Sequence, residues 1–364
     1  MQIIVVGILL TIFGVLAMYS VSIYESFRLT VGLENLEPSN YFYFLRQMQS
    51  LIIGLIVAII AYKIPLRFIQ EYRNIIFIFV VLFQLLVFTP IGIELQGSKG
   101  WLYIQGLGTV QPAELFKLGF VIFLSGWFVR KKKELSSIPG FIAFLIVAGV
   151  FSVIFLAIPD LGTLMVIGPV ALIMYWYAGG KIKYVLGLLF VGLFLGYTIG
   201  MQFDYIRVRF EYFFDPSVDE DARGIGWQTQ QALTAIGGGG FLGAGYGKGL
   251  QKFGYIPEAQ SDFVFAAFSE EVGFLGNSIL LTLYFLLSYF FLKNLRYVKN
   301  EYFRVLGVGI ISLIMIQAFV NIGVNVNILP LTGITLPFVS YGGTALMINF
   351  VQIVLLYKII TEKT

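Results

Sequence analysis

The chain has 364 residues, of which 58% are hydrophobic and only 12% are charged, and its mean hydropathy is +0.88. This composition excludes an ordinary soluble domain and predicts a protein that lies largely within a membrane. The net charge is +4, and the absence of cysteine and histidine excludes thiol nucleophiles, histidine acid–base catalysis and the usual zinc ligand sets.

Apolar runs of about twenty residues recur along the chain, and each is long enough to cross the core of a bilayer. They predict an all-α polytopic membrane protein with about ten transmembrane helices. The spans lie near 3–24, 47–63, 75–93, 112–129, 140–158, 161–178, 183–202, 263–292, 305–327 and 335–358. No basic residue precedes the first span and no small-residue cleavage site follows it, so we expect an anchor rather than a removed signal peptide.

The positions of lysine and arginine predict which segments face the cytoplasm. With both termini inside, the inner segments contain fifteen of the twenty-four basic residues. These fifteen fall within 63–73, 130–133, 181–183, 293–304 and 358–363. Basic residues concentrate in inner loops of membrane proteins, so we expect a multi-pass protein with both termini cytoplasmic. The same bias accounts for the net charge, and no nucleic-acid partner is expected.

The sequence predicts a single membrane domain covering 1–364, and the long outer loop, 203–262, is an insertion within that domain. Across Phe203–Phe214, charged residues recur every three to four positions opposite isoleucine and phenylalanine. This spacing predicts an amphipathic helix on the outer leaflet. A second helix is predicted from Trp227 to Ile236. Arg207, Arg209 and Arg223 could contact a pyrophosphate, but a solvated helix face explains them equally well.

The glycine-rich segment GGGGFLGAGYGKG (Gly237–Gly249) contains a formal GxGxxG pattern. No strand precedes it, and glycine follows Lys248 where a P-loop needs serine or threonine. We therefore predict a tightly bending backbone that another group approaches closely, rather than a nucleotide site.

The segment YIPEAQSDFVFAAFSEE (Tyr255–Glu271) leads from the outer loop into the eighth span. It places Asp262 at the membrane edge and Glu270 and Glu271 about two turns inside it. Carboxylates at that depth cost several kcal/mol unless they are paired or used. Asp262 also stands where a helix begins, and aspartate is a favoured N-cap, so a structural role competes with a catalytic one. One of the two glutamates is expected to brace neighbouring helices.

Other polar residues stand inside or at the ends of spans. Glu114 and Lys117 are three residues apart at the start of the fourth span, so they share a helix face and can pair. An ammonium group within a span is too costly to have no role. Asp160 stands where the sixth span begins and is expected to cap that helix more than to contact a substrate. Asn321 and Asn325 are expected to form hydrogen bonds between helices.

Four motifs occur in the order found in a known family. They are KGWLYIQGLGTVQPAELFKL (Lys99–Leu118), PDLGT (Pro159–Thr163), FLGAGYGKGLQKFGYIPEAQSDFVFAAFSEEVGFLG (Phe241–Gly276) and LPLTGITLPFVSYGG (Leu329–Gly343). Together they resemble the SEDS family (shape, elongation, division and sporulation), membrane peptidoglycan polymerases with FtsW and RodA branches. QKFGYIPEA is more similar to the FtsW branch, because an arginine commonly follows the glutamate in RodA. Gln260 and Ser261 depart from the usual His-Thr before the aspartate.

The resemblance implies a glycosyltransferase that polymerises lipid II into glycan strands on the outer face of the bacterial cytoplasmic membrane during cell division. It assigns the general base to Asp262, which matches the family's essential aspartate. Glu114 and Lys117 match cavity residues of the family. The candidate substrate-binding residues are Lys117, Glu114, Arg207, Arg223, Asp160 and Lys248. The implied partners are lipid II, a class B penicillin-binding protein, other division proteins and membrane lipid.

The reaction needs a base that removes a proton from an acceptor sugar hydroxyl as that hydroxyl attacks an anomeric carbon. The lipid pyrophosphate leaving group needs positive charge or a metal ion, but no proton. A divalent cation, Mg²⁺ or Mn²⁺, fits this requirement, and no organic cofactor is expected. Three other roles stay open: a lipid II flippase, a RodA-like polymerase of elongation, and a non-catalytic scaffold. A flippase should carry polar residues through to the inner leaflet, whereas the charges here concentrate at the outer end.

Overall fold

The computed structural model describes residues 1–32, 37–95, 98–104, 108–158, 160–202, 207 and 225–362. Within them the chain forms twelve α-helices and one small antiparallel sheet. The helices are α1 (Gln2–Val21), α2 (Ile23–Val31), α3 (Phe42–Lys63), α4 (Leu66–Leu85), α5 (Pro112–Lys131), α6 (Ile138–Ala157), α7 (Leu161–Tyr177), α8 (Ile182–Gly200), α9 (Ile225–Gly238), α10 (Val264–Leu295), α11 (Glu301–Asn325) and α12 (Gly343–Thr361). The strands are β1 (Gly92–Leu95), β2 (Ser98–Ile104) and β3 (Gly108–Val110), in the order β1-β2-β3.

Ten of these helices correspond to the ten predicted spans. Eight are long and apolar enough to cross a membrane, and α7 and the described part of α8 are shorter apolar helices. The predicted polytopic α-helical fold is confirmed. The helix predicted from Trp227 to Ile236 is present as α9. The amphipathic helix predicted over Phe203–Phe214 lies outside the described residues, apart from Arg207.

The tenth span begins later than predicted. Helix α12 starts at Gly343 rather than near residue 335, and the segment Thr335–Gly342 is irregular. Its backbone is bound by neighbouring side chains, such as Tyr284, whose hydroxyl donates to the Pro337 carbonyl at 2.5 Å. Irregular backbone at membrane depth is tolerated where protein buries it and supplies hydrogen bonds. Hydropathy alone missed this boundary because Leu336, Phe338 and Val339 extend the apolar run ahead of the helix.

The small sheet between α4 and α5 was not predicted. Leu102 of β2 pairs with Gly92 of β1 and with Val110 of β3. Its buried side chain packs with Val87 and Ile158, so the sheet rests on the segments that follow α4 and α6. Strands β1 and β3 have only four and three residues, and β2 ends in the unbroken apolar run Trp101–Ile104, so no alternating pattern stands out.

Helices α5 and α11 lie at the centre of the bundle. The most apolar stretch of each is 78% buried, whereas the corresponding stretches of α3 and α6 are only 17% buried. Helix α11 packs against α5, α7, α10 and α12. Polar side chains on α5 and α11 therefore face protein neighbours rather than lipid.

Candidate active site

Asp262 lies in a turn directly before α10. That helix begins at Val264 and its N-cap residue is Phe263. Asp262 is therefore not the N-cap, contrary to the structural role considered for it above. Asp262 is half-buried, and its carboxylate borders the segment between α11 and α12. Gly333 of that segment has a φ of 73°, and a Cβ on it would lie 3.6 Å from Asp262 Oδ2.

Two asparagines of α11 hold the backbone of Asp262. The side-chain amides of Asn321 and Asn325 each donate to the Asp262 carbonyl at 2.9 Å. Asn321 also donates to the Ile334 carbonyl at 2.7 Å, and Asn325 Oδ1 accepts from the Ala266 amide at 3.0 Å. The predicted hydrogen bonding between helices is confirmed for Asn325, which binds the Ala266 amide of α10. Asn321 instead binds the turn before α10 and the segment between α11 and α12. Both asparagines bind the residue that carries the candidate base.

The two residues before Asp262 are held from another side. The Tyr341 amide donates to the Gln260 carbonyl at 2.8 Å, and the Ser340 hydroxyl donates to the Ser261 carbonyl at 2.5 Å. Ser340 Oγ in turn accepts from the Leu336 amide at 2.8 Å. Three consecutive backbone carbonyls are thus bound by other elements. These bonds fix the backbone from which the Asp262 carboxylate extends, and general-base catalysis requires a positioned carboxylate.

Gln260 and Ser261, where the sequence departs from the family pattern, bind Glu258. Gln260 Nε2 and Ser261 Oγ donate to Glu258 Oε2 at 3.2 and 2.9 Å, and Glu258 itself has a φ of 54°. A second carboxylate, Glu25 of α2, interacts electrostatically with Glu258 and pairs with Arg28 at 2.8 Å. Burial raises the pKa of Glu25, and the Arg28 guanidinium opposes that rise.

Replacing Asn325 by alanine is expected to cost about 1–3 kcal/mol of stability, because the buried Ala266 amide then lacks its acceptor. The measurement is thermal unfolding of the purified protein in detergent. Asn74→Ala, at an exposed position on α4, serves as the control and should change stability by less than about 0.5 kcal/mol. Equal unfolding curves for the two variants would contradict the role assigned to Asn325.

A second polar group lies on α5. Lys117 Nζ is 2.7 Å from Glu114 Oε1 and 2.7 Å from Gln317 Oε1 of α11, and Lys117 is only 2% exposed. Gln317 Nε2 donates to the Thr335 carbonyl at 3.1 Å, in the segment that borders Asp262. An ammonium group has three donors, and the third has no partner in the described part of the chain.

Asp160 lies beside this pair. It is the N-cap of α7, where its Oδ1 accepts from the Thr163 amide at 2.9 Å and its Oδ2 accepts from the Thr163 hydroxyl at 2.7 Å. The predicted capping is therefore present. Asp160 is also near enough to Lys117 and Glu114 to interact electrostatically with both. The structure thus brings three of the predicted site residues together.

The remaining candidates are apart from this group or not described. Arg223 lies outside the described residues, and Arg207 is exposed. Lys248 is exposed on the glycine-rich segment. Gln317 was missed by sequence reasoning, although its spacing of four from Asn321 continues the polar stripe that the asparagines begin on α11.

The glycine-rich segment packs on α10 where that helix breaks, at Gly273 with φ 64° and ψ −166°. The Gly245 amide donates to the Glu271 carbonyl at 3.2 Å. A Cβ on Gly243 would lie 2.1 Å from the same carbonyl oxygen, so only glycine permits this approach. The predicted close approach is confirmed, and the group that approaches is the backbone of α10.

Glu271 forms a buried ion pair with Lys252, which follows the glycine-rich segment, and the pair contacts α1. Lys252 Nζ is 2.6 Å from Glu271 Oε1, and both side chains are 0% exposed. Ser20 of α1 donates to the carboxylate at 2.7 Å, and the Gly247 amide donates to its Oε2 at 2.8 Å. Glu271 therefore braces α1 against α10, while Glu270 Oε2 accepts a backbone amide at 2.9 Å. Lys252 was also missed, because nothing in the sequence distinguishes it from Lys248.

Among the described residues, no three Asp, Glu, His or Cys side chains form a group that could hold a metal ion. Magnesium is commonly held by one or two carboxylates together with substrate phosphates, which does not require such a group. The residues present are compatible with that arrangement, in which Asp160 or Glu114 would supply the carboxylate. The divalent cation stays a prediction.

The sequence of this chain is similar to those of known proteins. The whole chain, residues 1–364, matches the sequence model of the FtsW, RodA and SpoVE family, described as "Cell cycle protein". A protein of Legionella pneumophila named "Probable peptidoglycan glycosyltransferase FtsW" is 35% identical over 327 residues, which cover 88% of this chain and 82% of that protein.

Two solved structures share the fold. A chain from a structure described as "Structural coordination of polymerization and crosslinking by a peptidoglycan synthase complex" superposes with a TM-score of 0.78 at 22% identity, covering 98% of this chain and 96% of that one. The rod shape determining protein RodA of Thermus thermophilus has a TM-score of 0.70 at 22% identity, with 99% and 97% coverage.

Proposed function

Because the chain belongs to the FtsW, RodA and SpoVE family, we propose that it is a peptidoglycan glycosyltransferase that polymerises lipid II on the outer face of the bacterial cytoplasmic membrane. The observation that carries the proposal is the held backbone of Asp262. It borders the segment that Gln317 links to the buried Glu114–Lys117 pair. Glycosyl transfer from a lipid diphosphate needs a base for the acceptor hydroxyl and a cation for the diphosphate, and Asp262 and Lys117 can supply them.

In the proposed reaction, Asp262 accepts the proton of an acceptor sugar hydroxyl while the hydroxyl oxygen bonds to the anomeric carbon of the donor. The bond between that carbon and the diphosphate oxygen breaks, and the lipid diphosphate leaves without needing a proton. A single displacement of this kind inverts the configuration at the carbon. Lys117 stabilises the charge on the diphosphate through its third ammonium hydrogen, and Glu114 and Gln317 orient it.

We further propose a division role with a class B penicillin-binding protein as partner. The division role is supported by the FtsW name of the Legionella relative and by the FtsW-like motif at 251–259. The partner is supported by the synthase complex that contains the similar chain. The orientation with both termini cytoplasmic is supported by the distribution of basic residues.

The test is strand synthesis from fluorescent lipid II by the purified protein, with a class B penicillin-binding protein whose transpeptidase site is blocked. Long glycan strands resolved on a gel are the expected product. The same protein in vesicles should not increase the transfer of lipid II between leaflets. Lipid II transfer without strands would overturn the polymerase proposal in favour of a flippase. Stimulation by an elongation-type partner alone would overturn the division role.

Replacing Lys117 by methionine is expected to lower kcat/KM for lipid II by about 10²-fold or more, as removing one preorganised donor to a developing charge does. Gln317→Leu should have a smaller effect, because it removes an acceptor and leaves the ammonium group in place. Both are measured in the strand assay. Lys299→Met, at an exposed position, is the control. A wild-type rate of strand synthesis by Lys117→Met would show that Lys117 does not bind the diphosphate.

A further inference from the structure

A pocket of about 390 Å³ opens between the start of α4 and the start of α11. It is lined by Arg67, Gln70, Glu71, Arg73, Asn300 and Phe303, and we call it the arginine pocket. Asn325, which binds the Asp262 backbone, lies 24 residues further along α11, about 36 Å at the helical rise. The arginine pocket is therefore at the opposite end of the bundle and plays no part in the site described above.

The positive charge in the arginine pocket is only partly neutralised by protein. Neither Arg67 nor Arg73 has an ion-pair partner within the described ranges. Arg73 Nη1 donates to the Gln70 carbonyl, but its Nε is buried without a hydrogen-bond partner. Glu71 also lines the pocket, so the lining charges sum to about +1 at neutral pH. A second pocket, of about 160 Å³, offers a contrast because its Lys132 and Glu301 pair with each other.

The N-terminus of α4 adds to this charge. Helix α4 begins at Leu66 after Pro65, with no side-chain cap and no acidic residue in its first turn. Helix α11 begins at Glu301, and Asn300 and Phe303 of its start also line the pocket. Its N-terminus is already neutralised, because Asn300 Oδ1 accepts from the Tyr302 amide at 2.9 Å and Glu301 stands in the first turn. The N-terminal end of a helix carries partial positive charge and attracts anions. Side chains and backbone therefore favour the same kind of ligand.

The surroundings of the arginine pocket are those of a membrane–water interface. Exposed aromatic residues occur on and next to α4: Phe68 and Tyr72 lie on α4, Tyr62 lies at the end of α3, and Tyr297 follows the end of α10. Aromatic side chains of this kind occupy the headgroup level of membranes, and the basic residues predict that this end faces the cytoplasm. Basic pockets between transmembrane helices at this level bind lipid head groups.

We propose that the arginine pocket binds the phosphate diester of an anionic membrane phospholipid, such as phosphatidylglycerol. Arg67 and Arg73 bind the phosphate oxygens, and Asn300 contributes its amide. Phe303 lies beneath the head group, and Glu71 limits the affinity through repulsion.

The experiment is native mass spectrometry of the purified protein titrated with phosphatidylglycerol or phosphatidylcholine. Phosphatidylglycerol is expected to bind more tightly. Arg67→Gln alone should weaken its binding about fivefold, since one basic residue near a membrane surface contributes about 1 kcal/mol. Arg67→Gln with Arg73→Gln should weaken it about 25-fold. Glu71→Gln should strengthen it, and Lys133→Gln, an exposed basic residue outside the pocket, should leave it unchanged.

Equal binding of the two lipids, or unchanged binding in Arg67→Gln, would overturn the proposal. Arg67 is exposed, so its replacement tests binding without threatening the fold. Inorganic phosphate at the concentration of the lipid serves as a competitor and is expected to displace none of it. Displacement would show that the arginine pocket takes a soluble phosphate group and would overturn the assignment to a lipid.

Discussion

Replacing Asp262 by asparagine is expected to lower the rate of strand synthesis by about 10²–10⁴-fold, the contribution that a positioned general base makes. Asparagine has nearly the same shape but cannot accept the proton. The hydrogen bonds from Asn321 and Asn325 go to the backbone carbonyl of residue 262, so they survive the change. The variant should therefore fold normally and still bind its partner protein.

The rate is measured with fluorescent lipid II and the blocked partner, alongside thermal unfolding in detergent. Glu94→Gln, which neutralises an exposed carboxylate on β1, is the matched control and should polymerise at the wild-type rate. Normal strand synthesis by Asp262→Asn would show that the proton goes elsewhere. Loss of both activity and stability would instead assign Asp262 a structural role.

Replacing Lys252 by methionine is expected to destabilise the protein by about 3–5 kcal/mol, because Glu271 is left as a buried carboxylate without its cation. Lys248→Met is the matched control, four residues away and exposed, and should change stability by less than about 0.5 kcal/mol. Thermal unfolding in detergent measures both.

The double variant Lys252→Met with Glu271→Leu should recover most of the lost stability, since a buried pair replaced by apolar residues is often neutral. Such recovery would show that the cost arises from the unpaired charge. A single variant as stable as Lys248→Met would contradict the ion pair. A double variant no better than the single one would show that Lys252 acts mainly through its bonds to Ser20 and the Gly247 carbonyl.

Much of the fold could be predicted because spans of twenty apolar residues are a local property of the sequence. The start of α12 was not predicted, because the bonds that hold the irregular segment Thr335–Gly342 include contacts distant in sequence, such as the one from Tyr284. Lys252 was missed for a similar reason. Its partners, Glu271 and Ser20, are 19 and 232 residues away, and only the packing of α1 on α10 brings them together.

For the site, the sequence indicated Asp262, Glu114 and Lys117 but not how they are related in space. The local pairing of Glu114 with Lys117 follows from helix geometry and could be predicted. The bonds that hold the Asp262 backbone could not be predicted, because the donors come from α11 and from the irregular segment before α12. The polar stripe on α11 was visible in part, and Gln317 could have been found by extending it one turn.

The polar stripe on α11 has a consequence for the size of what the site accepts. Gln317 binds Lys117, and Asn321 and Asn325 bind the residue that carries the proposed base. These contacts lie four and eight residues apart, about 6 and 12 Å along one helix. The proposed phosphate contact and the proposed base are thus set apart by a length of regular helix. The distance between the diphosphate and the reacting sugar hydroxyl of a substrate must match that length. Changes in the outer loop do not alter the length.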